Sequence, residues 1–205
     1  MGLFSKKKLA EVAKPVGGKT PPEQDMVLDK ADVVIKRHKF DRSKIPQGIT
    51  HDDFSSQNNP IIKEHFDCIE EIQKNYARRN EGMKFLKKAV AACKKQIDIS
   101  AEAAYWFYAD NDLKRRQIEQ KYGMTPKEHW RKIIHAKSER PIDEEYDPCG
   151  MPVHTGYKQL CIICEKQGFW DEVINIAEQA KEEGWRGDWD KRIEKANKKL
   201  MLGEK

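Results

Sequence analysis

No stretch of this 205-residue chain approaches the roughly 20 consecutive apolar residues that a membrane-spanning helix needs. The opening "MGLFSKKKLAEVAK" has no apolar core long enough for a secretory signal, which leads to the expectation of a cytoplasmic protein. Gly2 invites a lipidation reading, but the hydroxyl residue is Ser5, and Lys6 stands where the myristoylation motif requires one. Catalytic signatures are missing as well. The six histidines, His38, His51, His65, His129, His135 and His154, include no pair at the i, i+4 spacing of a metalloprotease helix, and there is no glycine-rich phosphate loop or nucleophile elbow. The expectation is a protein that is not an enzyme and holds no cofactor. Five cysteines, an odd number, do not make a disulfide framework, so free thiols are expected.

Charge of one sign is also scarce. The net +5 is the difference between 39 basic and 34 acidic residues, an interspersed pattern rather than the dense basic patch of a dedicated nucleic-acid binder. With 38% hydrophobic and 36% charged residues and a mean hydropathy of −0.88, the chain fits long helices with solvated faces around one core.

Residues 1–22 mix a lysine run with Gly and Pro and read as a flexible lead-in. Residues 23–59 form an arm: "EQDMVLDKADVVIKRHKF" suits a short helix or an extended piece packed on the body, and "DRSKIPQGITHDDFSSQNNP" has the composition of a connector. A helical domain is expected over 60–205. After Asn59 and Pro60, a cap and first-turn pair, Ile62, Phe66, Ile69, Ile72 and Tyr76 recur at helical spacing. Leu86, Val90, Cys93 and Ile97 do the same after the break "RNEGM". Ser100 is placed to cap an aromatic helix, "AEAAYWFYA", which the polar "DND" should stop. Two helical pieces around Gly123 follow, the second opened by a capping box of Thr125 and Glu128. The hairpin 113–137 carries Arg115, Arg116, Arg131 and Lys132, the residues that would contact nucleic acid in the alternative functional reading. Its spacing departs from a helix-turn-helix: Glu119 occupies the small position, and Trp130 and Ile133 fall one step late. Asp143, Glu144, Glu145 and Asp147 form an acidic loop without EF-hand spacing.

"GYKQLCIICEKQGFWDEV", residues 156–173, places Tyr157, Leu160, Cys161 and Cys164 on one stripe of a helix that Gly168 ends. A second helix then turns Ile174, Ala177 and Ala180 back toward it. Zinc binding by Cys149, His154, Cys161 and Cys164 is the competing reading, but zinc cysteines two apart usually sit on a tight turn, and this stretch has helical periodicity without Gly or Pro. Leu160, the small Cys161, Gly168, Trp170, Ala177 and Ala180 resemble a tetratricopeptide repeat. A weaker copy spans 62–97, with Ile72, Tyr76, Asn80 in the turn, Ala89 and Ala92. The copies are not in tandem at the usual period of about 34 residues, so residues at about 110–150 read as an insertion in the array. The final "GWRGDWDKRIEKANKKL" looks like a polar capping helix: Asp188 caps it, Trp189, Ile193, Ala196 and Leu200 face inward, and Arg192 faces water.

The resemblance implies an all-α array of helical hairpins that binds a protein or peptide partner. Its groove would include Asp67, Glu70 and Lys74 in one copy and Lys158, Ile162 and Glu165 in the other. The family's carboxylate clamp is not reproduced, because Lys158 has no Asn at 162. The ligand is therefore another protein surface or the chain's own N-terminal arm.

Overall fold

The structure, a computed structural model, describes residues 27–137 and 147–203. The lead-in 1–22 and Asp143, Glu144 and Glu145 of the acidic loop fall outside them. The fold is all-α, with one isolated bridge among the described residues, between Val153 and Arg186. No helix among the described residues is long and apolar enough to cross a membrane.

The arm begins with a single turn, α1 (Lys30–Val33), capped by Asp29, and continues extended through Phe40. A second short helix, α2 (His51–Phe54), is closed by a capping box between Thr50 and Asp53 and sets the Phe54 ring edge-on to Phe107, 5.1 Å away. The body opens with α3 (Pro60–Ala77), whose cap Asn59 accepts from the amides of Ile61 and Ile62. Its buried stripe is Ile62, His65, Cys68 and Ile72. Phe66, expected inside, is 45% exposed, because the helix is rotated so that its own neighbour His65 enters the core.

A short turn leads to α4 (Met83–Asp98), which buries Leu86, Val90, Cys93 and Ile97 as its spacing predicts. Next is α5 (Ser100–Tyr122), 23 residues long. Neither of its expected signals operates. Ser100 does not cap it, since its hydroxyl is spent on the buried network described below. The polar "DND" does not stop it either. Asp110 and Asp112 pair one turn ahead with Lys114 (2.5 Å) and Arg116 (3.0 Å), which supports a continuing helix until Gly123 ends it. Only the first part of α5 is in the core; α6 (Pro126–Lys137), opened by the Thr125–Glu128 capping box, packs on it.

The chain then returns to the body in α7 (Thr155–Gln167), α8 (Trp170–Glu182) and α9 (Trp189–Met201). The neighbours in space run α3, α4, α7, α8, α9. Gly156 marks where α7 meets α4: a Cβ there would lie 2.8 Å from Gln96 Oε1 and 3.0 Å from the Cys93 carbonyl. On α9, three expectations fail. Asp188 makes no side-chain cap and instead accepts from Arg192 Nε at 2.8 Å. Arg192, expected in water, keeps only 12% of its side chain exposed because it bridges to Glu165 on α7, and Leu200, expected inside, is 45% exposed where the helix outruns its support.

Candidate peptide-docking groove

The furrow between α4 and α8 holds residues 28–40 of the chain itself. Burial anchors this arm: Leu28, Val33 and Ile35 join the core cluster. Val33 closes the single turn α1 and Ile35 follows it in the extended part of the arm. Main-chain groups are then satisfied one by one from the body. Leu28 N–H donates to Gln167 Oε1 at 2.9 Å, and the Asp32 carbonyl accepts from Lys94 Nζ at 3.1 Å. Gln179 takes both main-chain groups of His38: Oε1 accepts its N–H at 3.1 Å, and Nε2 donates to its carbonyl at 2.9 Å. The His38 ring meets the Ile97 carbonyl at 3.1 Å. Flanking these bonds, Lys30 pairs with Asp171, and Arg37 with Glu178 (3.1 Å) and Glu182 (3.6 Å).

Gln179 is not free to flip. Its Nε2 also donates to Glu183 Oε1 at 2.9 Å, so the amide must present its oxygen to the arm's N–H. Glu183 is fully buried, and its carboxylate is the hub of a donor ring: Ser100 Oγ and Tyr157 OH reach Oε1 at 3.0 Å each, and Trp185 Nε1 reaches Oε2 at 2.8 Å. Burial pushes this carboxyl above its ordinary range, and the donors from Ser100, Trp185, Gln179 and Tyr157 pull the other way. The phenol of Tyr157 is pushed upward, by burial and by the adjacent Glu183. Gly184, at φ +83°, closes α8 against Tyr108, whose hydroxyl lies 1.9 Å from where a Cβ would stand.

Asp67, Glu70, Lys74, Lys158, Ile162 and Glu165, the residues expected on a partner-binding surface, lie outside the furrow that holds the arm. Asp67, Glu70 and Lys74 are exposed along α3, with Asp67 paired to Lys63 at 2.6 Å. Lys158 is exposed on α7, Ile162 is half-buried, and Glu165 is occupied by Arg192 and by Lys195 (2.6 Å) of α9. None of the six contacts the arm through a hydrogen bond or ion pair described here. The residues that do include Lys87, Lys94 and Ile97 on α4, Gln167 on α7, and Asp171, Glu178, Gln179 and Glu182 on α8, none of which the sequence marks as groove-lining. One signal was available: Gln179 and Glu183, one helical turn apart, continue the apolar stripe of Val173, Ile176 and Ala180, and polar residues on such a stripe mark a buried network.

Three cations at the start of the basic hairpin, Lys114, Arg115 and Arg116, are paired with carboxylates. Arg115 bonds Asp147 at 3.1 Å and Arg116 bonds Asp112 at 3.0 Å, while Arg131 is half-buried and Lys132 exposed. As for the zinc reading, Cys161 and Cys164 are fully buried, and burial raises both thiols, that of Cys161 to about 12. Nδ1 of His154 is engaged as the cap of α7, accepting from Tyr157 N–H at 3.2 Å. Among the described residues, no three His, Cys, Asp or Glu side chains converge as metal ligands. Comparison with protein-family models, with curated proteins and with solved structures finds no match to this chain.

Proposed function

We propose that the protein is a non-enzymatic interaction scaffold, resembling tetratricopeptide-repeat proteins, whose helical-hairpin surface docks an extended protein or peptide segment. One observation carries this reading: an extended segment is already docked, with both main-chain groups of His38 bonded to the Gln179 side chain and basic side chains set against carboxylates. The order of neighbours α3, α4, α7, α8, α9 also suits stacked hairpins closed by a terminal helix. The internal pairing of Arg115 and Arg116 weighs against nucleic-acid binding by the hairpin, because those charges are already compensated.

The test is a native pull-down with and without nuclease, joined to a salt titration of binding to mixed duplexes. Protein partners retained after nuclease support the scaffold. Sequence-selective, submicromolar duplex binding at roughly 150 mM salt, lost in Arg131→Ala and Lys132→Ala, replaces it with the nucleic-acid reading, since non-specific contacts alone give micromolar or weaker affinity.

A further inference from the structure

The arm is bound as a ligand is bound. Its contacts include main-chain reading by Gln167, Lys94 and Gln179, apolar seating of Leu28, Val33 and Ile35, and a charge match of Lys30 and Arg37 with Asp171, Glu178 and Glu182 and of Asp32 with Lys87 of α4 (3.5 Å). Main-chain reading accepts many sequences, whereas the carboxylates on α8 select cations at the places of Lys30 and Arg37, and Lys87 on α4 selects an anion at that of Asp32. The two ends of the arm are held differently. At the far end Phe40 stacks on Tyr105, 5.0 Å between centroids, and meets Tyr108 at 5.6 Å; the Asp41 amide donates to Tyr105 OH at 3.2 Å. Upstream of that pin the ion pairs join side chains that are about half exposed, where salt and water weaken them.

We propose that the α4–α8 furrow is a docking site for a segment of a partner protein that enters in one helical turn and continues extended, with cations at the places of Lys30 and Arg37, and that residues 28–38 are its displaceable intramolecular occupant, hinged at Phe40. This rests on the scaffold reading above. The fitting segment has apolar residues at the places of Leu28, Val33 and Ile35 and cations at those of Lys30 and Arg37. In the resting chain the tethered arm competes at an effective concentration of about 1 mM, so a free segment binds weakly until the arm is loosened.

The experiment uses the full chain and a fluorescent peptide of residues 27–41. In Lys30→Glu/Arg37→Glu the arm is repelled by the α8 carboxylates, and the peptide should bind about tenfold or more tighter than to the natural chain. Adding Gln179→Ala to that variant should abolish the gain, and a peptide carrying the two charge reversals should not bind. Hydrogen exchange should show amides 28–38 of the natural chain opening while α4 and α8 stay protected. Four results overturn the proposal. They are no peptide binding to a variant whose arm amides are open; arm amides that exchange only with α4 and α8, in the natural chain or in the variant; a gain that persists with Gln179→Ala; or a concentration-dependent dimer with protected arms, which would put a second copy in the furrow. Should the furrow fail while protein partners survive nuclease treatment, the scaffold reading stands and its partner occupies another face.

Discussion

His65 of α3 and His154 ahead of α7 meet edge to face inside the body, their ring centroids 5.1 Å apart, with Nδ1 of the first and Nε2 of the second lacking any hydrogen-bond partner. Trp185 covers both, stacked on His65 at 5.7 Å and edge-on to His154 at 4.7 Å, and Phe107 closes the box at 5.4 Å from His65. Such a box accepts neutral imidazole and rejects imidazolium.

Acid should therefore unfold the protein in a defined window. Burial lowers His65 to about 4 and puts His154 well below its ordinary value, where the neighbouring His65 adds to the effect. A histidine depressed in the folded state takes its proton first in the unfolded chain, so stability is full above about pH 6.5 and falls as pH drops toward 4. For His65 alone the loss is roughly 3 kcal/mol by pH 4. Urea midpoints measured from pH 7 to 4 should fall, and the slope should be markedly shallower in His65→Phe. An equal slope in both would show that the box does not set the acid limit.

Glu183 makes an opposite demand. Four donors converge on its carboxylate, so Glu183→Gln sets an N–H against at least one of them. The cost should be about 1–3 kcal/mol at pH 7. Because the folded carboxyl is raised, its protonation partly offsets the histidine loss as pH falls from that raised value to the ordinary one near 4.5. The variant should thus be less stable at pH 7 and show a steeper acid decline; a stability equal to the natural chain's at both ends would dismiss the ring as a structural hub. Release of Gln179 should also speed exchange of the His38 amide.

Trp170 begins α8 inside the core cluster, with Lys195 Nζ over its ring at 5.7 Å. Truncation to Ala should remove roughly 3–5 kcal/mol, a large part of the stability of an ordinary domain. Thermal unfolding measures it. An unchanged midpoint would contradict the hairpin packing.

Cys161 and Cys164 should behave as small hydrophobes. Purified protein is expected to carry no stoichiometric zinc, and Cys161→Ala/Cys164→Val should fold with a loss under about 1.5 kcal/mol per site. One equivalent of zinc by elemental analysis, absent from that variant, would restore the metal reading.

Much of the body was legible because periodicity and capping are local. The stripe of α4, the Gly168 stop and the Thr125–Glu128 box all followed from residues within one or two turns. What was lost depends on distant partners. Ser100 looks like a cap unless Glu183, 83 residues on, is known to claim its hydroxyl. Arg192 looks solvated until Glu165 is placed beside it, and "DND" looks like a stop until Lys114 and Arg116 are counted one turn ahead. The groove was the hardest to see: its occupant and its wall are separated by 141 residues.

That separation has a consequence during synthesis. The arm and the α4 wall of its furrow leave the ribosome well before the α8 wall, which follows His38 by 141 residues at Gln179; at about 5–20 residues per second the interval is on the order of ten seconds. For that time Leu28, Val33 and Ile35 have no α8 to cover them. Bonding His38 to Gln179 closes a loop of 141 residues, and the entropy of that closure has to be met before the contact stabilises anything. Until α8 has been made, the main-chain groups of His38 have no Gln179 to bond.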